Sequence, residues 1–158
     1  MSRNGSTRPG TLLVVHHTPS PAVHELLDAV LAALTHPELQ QVEIHSEPAL
    51  SATAPDVLSA DGLVLLTPAN IGYMSGALKH FFDTVYYPGL SGVARPPYGL
   101  VVHGNDDTSG AVRSVERIAT ALRWESVGTP VSVLGPPSAV DRDRAGDLAA
   151  TVAARLLP

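Results

Sequence analysis

The sequence contains no cysteine among its 158 residues. This absence excludes disulfide bonds, thiolate nucleophiles, iron–sulfur clusters and zinc sites with cysteine ligands. Basic residues are also scarce, because 10 Lys and Arg stand against 15 Asp and Glu, for a formal net charge of -5. Nucleic-acid binding is therefore not expected, since a phosphate backbone is held mainly by clustered Lys and Arg.

Long apolar runs are missing as well. No segment approaches the roughly 20 apolar residues of a membrane-spanning helix, and the first ten residues, MSRNGSTRPG, lack the apolar middle of a signal peptide. We therefore expect no membrane span and a cytoplasmic location. With 44% hydrophobic residues, the chain has enough apolar side chains for one core. We expect a flexible N-terminal tail over residues 1–10 and a single domain over residues 11–158.

Short apolar runs alternate with amphipathic segments along the rest of the chain. The apolar runs predict strands at 11–15, 41–44, 63–66, 99–102 and 131–134. Apolar residues at helical spacing predict helices over 23–34, 74–85, 112–122 and 145–156, and the segment 49–60 has room for one or two further turns. Strict alternation of this kind predicts an α/β, three-layer, doubly wound fold with a five-stranded parallel sheet.

Doubly wound sheets bind ligands at the carboxyl ends of their strands, which directs attention to residues 16–21, 67–73 and 103–110. These segments contain no phosphate-binding P-loop, no G-x-G-x-x-G dinucleotide fingerprint and no G-x-S-x-G nucleophile motif. The acidic residues of a phospho-receiver are replaced by His16 and His17 in the first segment and by Thr67 and Pro68 in the second. No metal site is expected, because adjacent strand residues such as His16 and His17 point to opposite faces.

The first segment, HHTPSP, places the hydroxyls of Thr18 and Ser20 at the start of a predicted helix. Pro21 suits the first helical position, and the amides around Ala22 and Val23 point out of the helix end. Together with the helix dipole, these groups can hold a phosphate without Lys or Arg. The same residues also fit a simpler interpretation, in which Ser20 only caps its own helix.

The second segment carries the most specific motif. Residues 65–83 read LLTPANIGYMSGALKHFFD, which resembles the T-P-x-Y/x-x-G-x-M-S-G-x-L-K-x-F-x-D segment of the flavodoxin-like FMN-binding family, comprising flavodoxins and NAD(P)H-dependent FMN or quinone reductases. The resemblance implies a flavodoxin-like fold with strand order 2-1-3-4-5 and one non-covalently bound FMN. It also implies that the flavin, rather than any catalytic side chain, performs the chemistry.

The resemblance and the three segments together define a predicted FMN site. The FMN phosphate is expected at the first segment, and the flavin ring between the turn at Asn70 and the turn at Gly104. The predicted cofactor-binding residues are His17, Thr18, Ser20, Ala22, Val23, Pro68, Ala69, Asn70, Ile71, Gly72, Tyr73, His103, Gly104, Asn105 and Gly110. Asp106 and Asp107 are interpreted as turn formers and helix-start charges rather than as acids or bases.

The phosphate segment is where this chain departs from the family pattern. The usual S/T-x-T-G-x-T becomes Thr18 to Val23, in which Pro21 replaces the glycine and Val23 replaces the last threonine. Each lost contact to a charged phosphate is worth about 1.5–3 kcal/mol. Weakened FMN binding, or its loss, is therefore one expectation from the sequence.

The functional prediction is an FMN-dependent oxidoreductase that passes electrons from NAD(P)H to a quinone, a flavin or a similar acceptor. Two alternatives stay open: a one-electron carrier that docks on redox partner proteins, and a non-enzymatic protein of the same fold with weak or no FMN binding. A homodimer is also left open. Arg113 and Arg117 share a helix face four residues apart, which we interpret as solvated surface, with contacts to a nicotinamide-cofactor phosphate as the alternative.

Overall fold

The computed structural model describes residues 8–92 and 94–158 as a central β-sheet covered on both sides by helices. The strands are β1 (Thr11–His16), β2 (Glu43–Pro48), β3 (Gly62–Asn70), β4 (Tyr73–Met74), β5 (Pro97–Gly104), β6 (Glu125–Ser126) and β7 (Val131–Leu134). The helices are α1 (Pro21–Ala33), α2 (Ala54–Ser59), α3 (Gly76–Leu90), α4 (Ser109–Ala121) and α5 (Ala139–Ala154), with a short 3-10 turn at Pro37–Leu39.

The five principal strands are parallel and lie in the order β2-β1-β3-β5-β7, which confirms the predicted order. Two additional strands, β4 and β6, have only two residues each and are too short to leave a pattern in the sequence. β4 pairs antiparallel with β3, and β6 pairs with β5 beside β7. The strand predicted at residues 41–44 begins instead at Glu43 and continues to Pro48, because this edge strand is largely exposed and lacks an apolar run.

The sheet is apolar on both faces because helices cover both. Alternate residues of β1 show this division, since Leu12 and Val14 pack with α1 and α5, whereas Leu13 and Val15 pack with α2, α3 and α4. The core residues of α3, including Phe81 and Phe82, are fully buried, as the helical spacing predicts. The sheet and helices thus form two cores that hold the strand ends in place.

α3 is longer than predicted. Its apolar stripe ends near Val85, and the sequence suggests a connection from Pro88 onward, but the helix continues through Pro88 to Leu90. Proline has no amide to donate to the carbonyl four residues earlier, so the last turn depends on packing rather than on a complete hydrogen-bond ladder. In the described parts of the chain, no helix is both long enough and apolar enough to cross a membrane.

Most of the predicted N-terminal tail, residues 1–7, lies outside the described residues. Two of the three residues that follow contact the domain: the Arg8 guanidinium lies 2.9 Å from an Asp61 carboxylate oxygen, and the Gly10 carbonyl accepts a 2.8 Å hydrogen bond from the Glu43 amide. A Cβ on Gly10 would lie 2.6 Å from the Leu156 carbonyl oxygen. Packing against the domain therefore already begins at Arg8.

Candidate functional site

The three candidate segments follow neighbouring strands. β1 pairs with β3, and β3 pairs with β5, with His16 opposite Leu66 and Pro68 opposite His103. Just beyond β1, the His17 amide donates a 3.0 Å hydrogen bond to the Leu66 carbonyl. Because parallel strands end at a common edge, the fold brings residues 16–21, 67–73 and 103–110 together, as the sequence predicts.

The first segment forms a capped helix start. Ser20 is the N-cap of α1, and its hydroxyl accepts a 3.4 Å hydrogen bond from the Val23 amide, while Pro21 occupies the first turn. The first amides of a helix have no carbonyl partner within it, but Pro21 has no amide and the Val23 amide already contacts Ser20. The hydroxyls of Thr18 and Ser20 and the amides of Ser20 and Ala22 are the groups that remain for a phosphate.

The surroundings of Val23 and Thr18 define what each can offer a phosphate. The Val23 side chain is fully buried in the core beneath α1, so only its backbone reaches the helix end. The Thr18 hydroxyl lies 3.3 Å from Nδ1 of His16. Partial burial lowers the pKa of His16, and the Glu47 carboxylate opposes that shift. His16 is therefore mainly neutral at pH 7, and it orients Thr18 without adding a positive charge.

The second segment is a tight hairpin. β3 and β4 pair through Asn70 and Tyr73, which leaves Ile71 and Gly72 as a two-residue loop with φ of 50° and 72°. Positive φ at both loop residues is typical of a type I′ turn, whose preferred sequence is Asn-Gly. Ile71 is fully exposed, at 106% of its reference area. Its positive φ is unfavourable for a β-branched residue, and no packing of the side chain offsets that backbone strain.

We expect Ile71→Asn to stabilise the isolated protein, because asparagine tolerates the left-handed region and no buried contact is lost. The gain should be about 1 kcal/mol in unfolding free energy, measured by urea denaturation. Ile71→Val keeps the β-branch and should give no gain. An Ile71→Asn protein no more stable than the Ile71→Val protein would contradict this view of the turn.

Hydrogen bonds hold the hairpin at its base and along the side that faces α4. At its base, the buried Thr67 hydroxyl donates to the Pro68 carbonyl at 2.8 Å and accepts from the Ser75 amide at 3.1 Å. Ser75 in turn caps α3, because its hydroxyl accepts a hydrogen bond from the Leu78 amide at 3.2 Å. These bonds tie the end of β3 to the start of α3.

On its other side, the hairpin rests against α4. The Ser114 hydroxyl accepts a 3.3 Å hydrogen bond from the Met74 amide and donates one of 2.8 Å to the Ala111 carbonyl. A Cβ on Gly110 would lie 2.0 Å from the Gly72 carbonyl oxygen, so the hairpin and α4 are in direct contact. A ring could therefore not enter between Gly72 and Gly110 without moving the hairpin away from α4.

The third segment is tied to the last strand. Nε2 of His103 lies 2.8 Å from the Gly135 carbonyl, and because a carbonyl only accepts, Nε2 carries the proton. The Gly135 amide donates to the Gly104 carbonyl at 2.9 Å. Asn105 is exposed at the sheet edge, whereas the His103 side chain is buried and committed to this link.

Asp107 shapes the start of α4. Its carboxylate accepts hydrogen bonds from the Ser109 amide at 2.8 Å and from the Ser109 hydroxyl at 2.9 Å. These bonds, the amide first, lower the pKa of Asp107 below its usual value. The interpretation of Asp107 as a helix-start residue is confirmed, and the carboxylate is occupied by the backbone rather than directed toward a reacting group.

The groups at this edge are compatible with FMN. A Cβ on Gly72 would meet no atom within 4 Å, so the turn presents open backbone that a flat ring can approach. The phosphate would be held by neutral donors at the start of α1, since no Lys or Arg belongs to the first segment. Across residues 8–92 and 94–158, no cluster of three or more His, Asp or Glu side chains is suited to holding a metal.

Comparisons with known proteins agree with this architecture. A family model described as NADPH-dependent FMN reductase matches residues 13–135. Among curated proteins, none matches the sequence significantly.

Solved structures show the fold. An archaeal flavodoxin superimposes with a TM-score of 0.79 at 12% identity, covering 92% of this chain and 98% of its own. A flavodoxin from Streptococcus pneumonia TIGR4 gives a TM-score of 0.74 at 20% identity, covering 92% and 99%. A flavodoxin described as WrbA-like, from Agrobacterium tumefaciens, gives 0.74 at 17% identity, covering 93% and 97%. At these identities, the structural similarity establishes the fold alone.

Proposed function

Because the chain belongs to the NADPH-dependent FMN reductase family, whose members share the flavodoxin-like fold described above, we propose that it reduces a quinone, a flavin or a similar small acceptor with electrons from NADPH or NADH. The observation that carries this proposal is the meeting of three segments at one sheet edge: a hydroxyl-bearing helix start, a glycine turn and the end of β5. When bound, FMN supplies the redox chemistry, and the protein supplies binding, orientation and backbone dipoles.

Each segment has a distinct task in this proposal. Thr18 and Ser20 bind the FMN phosphate with their hydroxyls, and the amides at the start of α1 add the favourable field of the helix dipole. The Ile71–Gly72 turn brings backbone groups to the edge of the ring. Asn105 is exposed and directly follows β5, at the same edge of the sheet. The rest of the predicted FMN contacts are assigned by their position on these three segments.

A one-electron carrier is the second candidate, because solved structures described as flavodoxins share the fold of this chain. The two candidates differ in their reaction with reduced nicotinamide nucleotides. A reductase accepts electrons directly from NADPH or NADH, whereas a carrier requires a protein donor. The distinction therefore rests on kinetics rather than on the fold.

The test begins with the purified protein. Yellow colour, or quenching of added FMN fluorescence, would support flavin binding, and a colourless protein that does not quench FMN would overturn the proposal. The flavin-loaded protein is then mixed anaerobically with NADPH or NADH. Bleaching of the flavin absorbance, followed by its recovery when a quinone is added, would support a reductase. A flavin that dithionite bleaches but neither nucleotide bleaches would favour the carrier.

The replacement of the family's glycine by Pro21 leads to a specific prediction. Pro21→Gly restores an amide at the phosphate end of α1, and one restored bond to a charged phosphate should tighten FMN binding about tenfold. FMN titration followed by fluorescence measures the dissociation constant.

Riboflavin provides the matched control because it has the same ring without the phosphate. Its affinity for the Pro21→Gly protein should stay within about twofold of that for the original chain, since about 0.4 kcal/mol corresponds to twofold. An equal gain for riboflavin and FMN would place the effect on the ring rather than on the phosphate.

A further inference from the structure

A groove between α3 and α4, which we call the α3–α4 groove, opens beside the hairpin turn. Its volume is about 890 Å³, and Gly72 and Tyr73 form its upper end. This volume is within the range of pockets that hold small organic ligands. The floor and walls include Phe82, Tyr86 and Ile118, so the groove combines apolar and aromatic surface with an open mouth.

The charges along this groove are mainly positive. Arg113 and Arg117 line one wall and Lys79 the other, against a single carboxylate, Asp83, which pairs with Lys79. The chain as a whole is acidic, with a net charge of -5. The α3–α4 groove is therefore a local cationic site on an anionic protein, which favours an anionic ligand.

Among the residues that the structure describes, neither arginine pairs with a carboxylate. No ion pair or side-chain hydrogen bond formed by residues 8–92 and 94–158 involves either guanidinium. Arg113 contributes to the lowered pKa of Asp107, but that carboxylate is already hydrogen-bonded to Ser109. Like charges four residues apart destabilise a helix by about 0.2–0.5 kcal/mol. A bound anion would remove this repulsion.

The groove and the predicted FMN site share the hairpin turn. Ser114, which lies in its wall, hydrogen-bonds the Met74 amide, and Gly110 contacts the Gly72 carbonyl. The hairpin turn predicted to contact the flavin is thus the upper wall of the groove. A ligand with one end in the groove can extend past Gly72 toward the sheet edge.

We propose that the α3–α4 groove binds the phosphate-bearing adenosine half of the dinucleotide electron donor, with Arg113 and Arg117 contacting its phosphates. This inference rests on the proposed reductase function and assigns the donor a place on the protein. Guanidinium groups match phosphate oxygens in geometry and charge. Tyr73 and Tyr86 supply aromatic surface for the adenine, and the nicotinamide end extends toward the hairpin turn.

The probe for this site is adenosine 2′,5′-bisphosphate, which carries the adenosine and two phosphates but no nicotinamide. Its binding to the flavin-free protein is measured by calorimetry at low salt. Arg113→Gln/Arg117→Gln should weaken binding about tenfold or more, since charge-assisted hydrogen bonds are lost. The affinity of the original chain should fall as the salt concentration rises.

Arg123→Gln/Arg144→Gln is the matched control because it removes two positive charges at positions outside the groove. This control should bind the probe within about twofold of the original chain. In the flavin-loaded protein, the groove variant should raise KM for NADPH while reduction of the flavin by dithionite is unchanged. Equal weakening in both double variants would overturn the proposal, because it would indicate a general charge effect.

Failure of this inference is distinguishable from failure of the proposed function. If NADPH bleaches the flavin with the same KM in the groove variant, the reductase function stands and the groove assignment is wrong. If FMN does not bind at all, the proposed function fails, and the probe titration still decides what the groove binds. Sedimentation showing a dimer that Arg113→Gln/Arg117→Gln dissociates would also overturn the assignment, since a second copy would then cover the groove.

Discussion

Gly110→Ala is expected to destabilise the protein and to displace the hairpin turn. The added Cβ would lie 2.0 Å from the Gly72 carbonyl oxygen and 2.9 Å from the Gly72 carbonyl carbon, distances at which one backbone segment must move. Overpacking of this kind costs about 1–3 kcal/mol, measured as unfolding free energy in urea. Because the turn carries predicted ring contacts, FMN affinity should also fall, by about tenfold for each 1.4 kcal/mol of binding energy lost.

Gly76→Ala is the matched control for this substitution. Gly76 also lies in the first turn of a helix, but a Cβ there would meet no atom within 4 Å. The Gly76→Ala protein should be as stable as the original chain or gain about 0.5–1 kcal/mol from helix propensity. If the Gly110→Ala protein is as stable as the Gly76→Ala protein, the contact between the hairpin and α4 does not constrain the turn.

Thr67→Val is expected to destabilise the protein by about 1–3 kcal/mol, because it leaves the buried Ser75 amide without its acceptor. Valine has nearly the shape of threonine and suits a buried strand, so the lost hydroxyl is the main change. The Thr67 hydroxyl joins the Pro68 carbonyl to the Ser75 amide, and both bonds are buried. The midpoint of urea or thermal unfolding measures the loss.

Thr67→Ser separates the hydroxyl from the methyl group. Serine keeps the donor and acceptor and loses only one methyl group, so its cost should be about 1 kcal/mol. The order of stability should be threonine, then serine, then valine. Valine equal to or above serine would show that packing of the methyl group, rather than the hydrogen bonds, holds the hairpin base.

The layout of the fold was predictable because its main strands are apolar on both faces. The runs around Leu13, Leu65, Val101 and Val133 identify four of the five principal strands, and the alternation with helices leads to a parallel sheet. The strand order came from the resemblance to the flavodoxin-like family. β2 was misplaced by two residues at its start and four at its end, because an exposed edge strand needs no apolar run. The loops that form the candidate site follow from the topology, so their meeting was predictable too.

The contacts within the site could not be predicted from the sequence as well as the fold could. Ser114 fastens the hairpin although it lies 40 residues from Met74, and no motif marks that contact. Gly110 was assigned to the cofactor by its loop, whereas its Cα hydrogens face the Gly72 carbonyl. Val23 belongs to both a predicted phosphate segment and an apolar stripe, and the structure shows that its side chain follows the stripe. Such details depend on tertiary contacts that local patterns do not encode.

The exposed strand β2 limits how copies of this chain can associate. Its side chains include Glu43, which is exposed, and Glu47, which is half-buried, and His45 hydrogen-bonds Glu43 at 2.7 Å. Acidic side chains along a sheet margin, together with Pro48 at its end, disfavour the addition of a neighbouring copy's strand. We therefore do not expect copies of this protein to join by extending the sheet beyond β2.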